Sequence, residues 1–407
     1  MRSPANRFLR FIAFCAIVWL GINPAVAQKS IPEFHQLLRE TAAFDETDFV
    51  VLEQGQTVVH LLPTLNKREV AVGGLISLRV AADVFLKSFR ESMTQKSNPA
   101  ILEIGRFADL PTIADLQTLT FEDRDLEDLK ECVVGDCKIK LSATMIERLH
   151  KEVDWEATDY RLQATQLLKR MLLEYVHDYV ARGDSALIKY HDNSVEVQLA
   201  EEQRELMAAP GYINKLLSEF QQSLKGQTGQ QVSLVENAIV WSKIKFGLKP
   251  VLALNHIMVY KRAAESGPQI LVASKQIYAN HYFDSSLALT AFVNIPGATP
   301  GAYLLYENRS RADGLEGPFS KIKRGIVEGK AVAGLRGILE TSKANLDAHA
   351  ANRTESARLP DKGRGWRRWT IGKVHVFLWL LLIPALVALF ALGNYGWKGS
   401  LSGGAQQ

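Results

Sequence analysis

The sequence predicts an α+β fold: a curved antiparallel sheet packed on a long C-terminal helix, with a large helical insertion and a C-terminal transmembrane helix. Two separate parts of the chain, residues 49–107 and 251–309, are rich in β-favouring runs. Residues 111–250 between them are mostly helical in pattern, and a long helix is predicted over residues 319–346. An uncharged apolar run over residues 374–392 predicts the membrane span.

The N-terminus has the pattern of a secretory signal over residues 1–27. Arg2, Arg7 and Arg10 precede an apolar run, and the small residues Ala25 and Ala27 follow it. An uncleaved anchor is the alternative, but about ten apolar residues are too few to span a bilayer, which needs about 20. We therefore expect cleavage, and an exported domain over residues 28–357.

The C-terminal region predicts a single membrane span over residues 374–397, followed by a short cytoplasmic tail at 398–407. Aromatic residues flank the apolar run, as they do at membrane interfaces: Trp366, Trp369, Tyr395 and Trp397. Residues 358–373 form a basic linker before the span, where Arg364, Arg367 and Arg368 could contact anionic headgroups. A solvated linker with incidental charge is the alternative. The predicted location is a bacterial inner membrane, with the main domain in the periplasm.

Composition limits the partners of the exported domain. The whole chain of 407 residues carries a net charge of +4. Because both ends are basic, the part between them is mildly acidic, and nucleic acid is not an expected partner. Cys132 and Cys137 lie close together in the sequence and suit a small disulfide loop in an oxidising compartment, whereas Cys15 lies in the signal.

The first elements are short. Ser30 and Glu33 have the spacing of a capping box that opens a helix through about Ala43. A hairpin, a third strand, a helix and a short strand are then predicted over residues 49–52 with 57–62, 69–80, 81–91 and 101–107. In the third strand, Gly73 and Gly74 suggest a bulge or a close approach.

The later elements are longer. One helix is predicted over residues 156–182, with Tyr179 on its apolar stripe and Gly183 at its end. Four strands are predicted over residues 251–260, 269–283, 287–295 and 302–309. In the helix at 319–346, a row of small residues would let it lie close to a sheet or leave room between them: Gly325, Gly329, Ala333 and Gly337.

The order of these elements resembles the START-like helix-grip superfamily, a lipid-binding group. The stretch from Leu78 to Leu86 is similar to the strand-to-helix opening of those domains. The resemblance implies a curved antiparallel sheet that wraps a C-terminal helix around an apolar cavity. It covers about half of the exported domain and carries over no site residues, because the superfamily has no short sequence signature.

Polar residues on the predicted strands form the candidate ligand site: His256, Tyr260, Lys275, Tyr278, His281 and Arg309. If several point inward, they would line a polar end of a cavity suited to a headgroup or a carboxylate. If they do not, part of the set faces solvent. Two Glu-x-x-His motifs, at 147–150 and 174–177, have the pattern of di-iron ligands. They would lie about 16 Å apart on facing helices, so no metal and no cofactor are predicted.

Three functions remain open from the sequence. The first is a membrane-anchored envelope protein that binds an apolar or lipid-like ligand between the sheet and the helix at 319–346. The second is an envelope assembly component that binds another protein through residues 111–250. The third is an enzyme with an unrecognised site, although familiar catalytic and phosphate-binding motifs are missing from the sequence and no catalytic residue is assigned.

Overall fold

The chain folds around one large antiparallel sheet. The computed structural model describes Gln36, Leu38 and Arg39 together with residues 44–96, 99–209, 211–227, 231–263, 267–294, 301–316 and 320–358. Within these residues the fold is α+β, with eight α-helices and an eight-stranded sheet.

The strands are β1 (Val58–Leu61), β2 (Glu69–Leu78), β3 (Ile101–Arg106), β4 (Lys189–Tyr190), β5 (Val197–Gln198), β6 (Val232–Ile244), β7 (Val251–Arg262), β8 (Gly267–Ala279), β9 (Phe283–Asn294) and β10 (Ala302–Ala312). The main sheet has the order β1-β2-β10-β9-β8-β7-β6-β3, and β4 and β5 form a separate two-stranded ribbon. Every pairing within the main sheet is antiparallel.

The helices are α1 (Glu46–Glu53), α2 (Ala82–Ser92), α3 (Asp123–Lys130), α4 (Ala143–Glu152), α5 (Tyr160–Arg182), α6 (Leu199–Ala208), α7 (Tyr212–Leu224) and α8 (Ser320–Arg358). Short 3₁₀ turns lie at Ile113–Leu116, Gly183–Ala186 and Asp313–Leu315.

Helices α2 and α8 cover one face of the sheet, which we call the first face. On α8, Leu335 and Leu339 are fully buried in this core, together with Phe85 and Phe89 of α2. A Cβ atom at Gly74 of β2 would collide with the Leu339 side chain. Glycine at this position therefore lets α8 lie directly on β2.

Two groups of helices cover the opposite, second face. Helices α1, α6 and α7 pack on β8, β9 and β10 through side chains such as Leu206 and Phe220. Helices α3, α4 and α5 pack on β6, β7 and β8, where Leu167 and Tyr175 belong to the same apolar core as Trp241. Each group has its own apolar core, so the second face has a boundary between them.

The predicted first hairpin is wrong in its first strand. Residues 49–52 belong to helix α1 and not to a strand. The Asp45 side chain accepts a hydrogen bond from the Asp48 backbone N–H, and Asp48 accepts one from the Asp45 N–H. This capping box stabilises a helix start that the β-favouring pattern of Phe49, Val50 and Val51 concealed.

The large helical insertion predicted at 111–250 is also corrected. The last helix of this region, α7, ends at Leu224, and Val232–Ile244 is strand β6 of the main sheet. Strand β6 pairs with β3 on one side and β7 on the other, so it joins the edge strand β3 to the rest of the sheet. The intervening helices lie on the sheet rather than beside it.

The predicted fold class is corrected for its transmembrane helix, which is not found in the described part of the chain. None of the helices in the described part of the chain is both long and apolar enough to cross a bilayer. The expected span at 374–397, the signal at 1–27, the tail at 398–407 and the linker arginines Arg364, Arg367 and Arg368 lie outside the described residues.

The small-residue row of α8 does not face the sheet. Gly325, Gly329, Ala333 and Gly337 are exposed, and the buried side of the helix is formed by Ala331, Leu335, Ile338 and Leu339. A Cβ atom at Gly325, Gly329 or Gly337 would meet nothing within 4 Å. The row therefore faces away from the sheet and creates no space for a ligand between α8 and the sheet.

Candidate functional site

A cavity of about 620 Å³ lies on the second face, at the boundary between the two helical groups. Strands β6 to β9 form its floor, the end of α5 forms one wall, and α6 and α7 form the other. We call it the His256 cavity. Its volume lies within the range of small-molecule sites, about 300–1,000 Å³.

The polar side chains reach this floor because of the strand register. His256 of β7 is directly opposite Lys275 of β8, and Lys275 is directly opposite Leu287 of β9. On the other side, Ile239 of β6 is opposite His256. Directly opposed residues point to the same face of a sheet, so these four side chains form one row across the floor.

Tyr179, His256 and Asn237 form a hydrogen-bonded chain at the floor. The Tyr179 hydroxyl lies 2.8 Å from Nδ1 of His256, and Nε2 of His256 lies 2.6 Å from Oδ1 of Asn237. Because an amide oxygen only accepts hydrogen bonds, Nε2 of His256 carries the hydrogen and donates a hydrogen bond to Oδ1 of Asn237. Nδ1 is then the acceptor for the Tyr179 hydroxyl.

Both titratable members of this chain are held in their neutral forms. Burial, with a contribution from the nearby Lys275 charge, lowers the pKa of His256 to about 4. Burial also raises the pKa of Tyr179, as does the Asp184 carboxylate. Neither group has a pKa close to neutrality, where general acid–base catalysis is most efficient.

Lys275 supplies the positive charge at the floor. Its ammonium group pairs with the Asp184 carboxylate and lies 5.4 Å from the centre of the Tyr179 ring. The Lys275 side chain is 7% exposed, whereas the Asp184 side chain is 60% exposed. The ion pair therefore joins a buried cation to a carboxylate at the mouth.

Apolar side chains line the rest of the cavity, mainly from α6, α7 and the strands: Met207, Leu217, Ile239, Met258, Ala273 and Leu287. A second acid, Asp109, lies at the exposed rim. The cavity thus combines an apolar body with one polar end, which is an arrangement that accommodates an amphipathic molecule.

Comparison with known proteins gives no match. No family model, no curated protein and no solved structure is significantly similar to this chain. The START-like resemblance stays a prediction.

The structure separates the six predicted ligand residues, and only His256 and Lys275 line the His256 cavity. Tyr260 packs edge-on against Phe220 of α7, with ring centres 6.3 Å apart. Tyr278 lies in the core beneath α5, with its ring centre 6.5 Å from that of Tyr175. Both are structural core residues in this arrangement.

His281 belongs to a different cluster, at the turn between β8 and β9. Its Nε2 lies 2.9 Å from an Asp125 carboxylate oxygen, and the other oxygen lies 2.8 Å from the Lys249 ammonium. The histidine and Lys249 together lower the pKa of Asp125, against the effect of its burial. Next to His281, Tyr282 has a φ of 62°, a strained value for a bulky residue.

Arg309 belongs to a buried ion network that joins β2, β10 and α6. It lies 2.9 Å from Glu69 and 2.8 Å from Glu307. Arg311 lies 2.9 Å from Glu202 of α6 and also contacts Glu69. Burial raises the pKa of Glu307, although the Arg309 charge opposes this. The network borders a second cavity of about 560 Å³.

Sequence reasoning missed Tyr179, Asp184 and Asn237 as site residues. The sequence places Tyr179 on the apolar stripe of its helix, and its ring does lie in that apolar core. Its polar hydroxyl, at the end of an otherwise apolar stripe, was the signal that could have identified it as a site residue. Asp184 follows the helix end in sequence and gave no periodic signal.

Elsewhere, the structure links Cys132 and Cys137 by a disulfide, and this loop donates backbone hydrogen bonds to His191 and Asp192.

Proposed function

We propose that this domain binds a small amphipathic ligand in the His256 cavity. The observation that supports this most directly is the row of the buried Tyr179 and Lys275 with the half-buried His256 at the floor of a cavity whose body is lined by apolar side chains. Buried polar groups are costly unless they have partners, and a fold retains such groups most readily where they contribute to recognition.

Binding is favoured over catalysis by the state of His256. Both of its ring nitrogens are engaged, by Tyr179 and by Asn237, and its low pKa keeps it neutral near pH 7. A general base must be within reach of a substrate proton and have a pKa near the working pH. His256 instead fixes the Tyr179 ring and the shape of the floor.

The ligand position differs from the one expected from the sequence. That expectation put the ligand between the sheet and α8, where Leu335 and Leu339 are fully buried and Leu339 lies close against Gly74 of β2. The proposed site uses the opposite face, where the two helical groups leave the floor of β7 and β8 accessible. The envelope location, the membrane contact and an assembly role through residues 111–250 stay predictions.

A fluorescent apolar probe tests this proposal on the full-length chain. N-phenylnaphthylamine should bind saturably to the wild type, with a rise in fluorescence. Ala108 is exposed and lines the cavity, so Ala108→Trp should obstruct it and weaken probe binding without disturbing a core. Ala114 is exposed in the same segment but outside the cavity lining, and Ala114→Trp is the matched control.

The expected result is loss of saturable binding in Ala108→Trp and retention in Ala114→Trp. Equal binding by both variants would place the probe elsewhere and contradict the proposal. Mass spectrometry of molecules extracted from the purified full-length chain provides a second readout, because a retained amphipathic species should be depleted in Ala108→Trp alone.

A further inference from the structure

We infer that the ligand of the His256 cavity carries a carboxylate, and that Asp184 occupies the position of this group until the ligand displaces it. The inference rests on the proposed function, since it assigns the chemistry of that ligand. It is derived from the difference in exposure between the buried Lys275 side chain and its mostly exposed ion-pair partner, Asp184.

Lys275 requires a negative partner wherever the ligand lies. Its side chain is nearly buried, and an unpaired ammonium group in such a place is strongly unfavourable. The neighbouring His256 is neutral and its nitrogens are already engaged, so it cannot supply that partner. The aromatic ring of Tyr179 gives a weaker, additional attraction.

Asp184 supplies the partner from a position that is easily vacated. It lies on the 3₁₀ turn Gly183–Ala186, directly after the end of α5, and most of its side chain is exposed to solvent. Short 3₁₀ turns have poorer hydrogen-bond geometry than α-helices. Gly183, which precedes it, has a φ of 60° and open space where a Cβ would lie. Moving the Asp184 carboxylate into water therefore disrupts no packed core.

The distribution of charge in the cavity selects an acid over an amine. The two acids, Asp109 and Asp184, lie at the exposed rim, whereas the cation lies at the floor among Met258, Ala273 and Leu287. An ammonium ligand would stay at the rim and leave the apolar floor empty. A carboxylate ligand would reach Lys275 with its head and place its chain against the apolar walls.

The displacement exchanges one ion pair for another. The ligand carboxylate accepts hydrogen bonds from the Lys275 ammonium, and the Asp184 carboxylate becomes hydrated at the mouth; no covalent bond changes. Lys275 stays neutralised throughout, so the exchange avoids the cost of an unpaired buried charge. A ligand with an uncharged head gains nothing from this exchange and leaves Asp184 in place.

Calorimetric titration of the full-length chain at pH 7 tests the inference with decanoate and decanol, both below the concentrations at which they aggregate. These ligands differ in head group and share the apolar chain. Asp184→Asn removes the competing carboxylate, so it should tighten decanoate binding by about tenfold and leave decanol binding unchanged. Lys275→Met should weaken decanoate binding by at least about tenfold and spare decanol.

Asp178→Asn is the matched control, because Asp178 is an exposed acid of α5 that pairs with Arg182 away from the cavity. It should leave both affinities unchanged. If Lys275→Met does not fold, the Asp184→Asn result still decides. Asp184 is mostly exposed, and the Asn side-chain oxygen still accepts a hydrogen bond from the Lys275 ammonium, so this variant should fold.

The outcomes separate the two proposals. Binding of decanoate and decanol with equal affinity, with no effect of Asp184→Asn, would overturn the carboxylate inference and leave an amphipathic binding site in place. Failure of both ligands to bind or to displace N-phenylnaphthylamine from the wild type would instead count against the binding function itself. Tighter binding of decanoate by Asp184→Asn, with no such change in Asp178→Asn, would support both the binding function and the carboxylate inference.

Discussion

The Tyr179 hydroxyl donates a hydrogen bond to Nδ1 of His256 over 2.8 Å, and this contact joins helix α5 to strand β7 at the floor of the cavity. The two residues are 77 positions apart in the chain. Their contact therefore depends on the packing of the α3–α5 group on the sheet, and disturbing it should affect stability as well as binding.

Tyr179→Phe removes the donor and leaves Nδ1 of His256 without its partner. We expect the free energy of unfolding to fall by about 1–2 kcal/mol, the usual cost of a buried polar group left unsatisfied. Chemical denaturation measures it. In a double-mutant cycle with His256→Gln, a coupling energy near zero would mean that the two side chains contribute independently, contrary to this expectation.

The pH dependence of the free energy of unfolding should show the lowered pKa of His256. Its pKa falls from 6.5 to about 4 on folding, so between these values the unfolded chain binds a proton that the folded chain does not. The free energy of unfolding should therefore rise with pH from about 4 to 6.5 and level off above. In His256→Gln this component should be missing. His177→Gln, an exposed histidine change on α5, should retain the wild-type slope.

The ion network on β2 and β10 should be sensitive to loss of one partner. Arg311 is 3% exposed and contacts the carboxylates of Glu69, Glu202 and Glu205. Arg311→Leu removes one cation from this buried network, although Glu69 keeps Arg309 and Glu202 keeps Arg68. We expect a loss of about 3 kcal/mol in the free energy of unfolding, the low end of the usual cost of breaking a buried ion pair. Arg182→Leu breaks the exposed pair with Asp178 and should cost less than about 1 kcal/mol. Similar losses in the two variants would argue against a structural role for the network.

Two glycine substitutions should have opposite effects. A Cβ at Gly105 of β3 would lie 2.5 Å from the Trp241 indole, whose ring nitrogen donates to Asp115. Gly105→Ala should therefore destabilise the fold by about 1–3 kcal/mol through overpacking. Gly325 on the exposed side of α8 has open space, so Gly325→Ala should stabilise it by about 0.5–1 kcal/mol. Thermal unfolding of both variants compares them directly.

The later strands could be predicted from the sequence because their alternation and turn residues are local signals. The strand predicted at 287–295 corresponds closely to β9, Phe283–Asn294. Residues 49–52 form a helix and not the predicted strand, because the capping carboxylates of Asp45 and Asp48 outweigh a weak β preference. Strand β6 was hidden because it follows more than a hundred residues of mostly helical pattern.

The site was only partly predictable, for a geometric reason. His256 and Lys275 were identified as polar residues on strands, but their grouping depends on register, which sequence alone does not reveal. Register sets His256 opposite Lys275 and directs Arg309 towards Glu69 and Glu307 instead. Asp184, the partner of Lys275, and Glu69, one partner of Arg309, are distant in sequence, so no local pattern could assign them.

The strand order has a consequence for how the chain is made. Strand β2 pairs on its inner side with β10, and β3 pairs with β6, so both early strands wait for partners that are synthesised much later. During translation, the inner edge of β2 stays open until residues 302–312 leave the ribosome. Sheets with such long-range pairings fold slowly, and open edges favour aggregation. A nascent chain that stops after β9 should therefore depend on chaperones in a way that the finished protein does not.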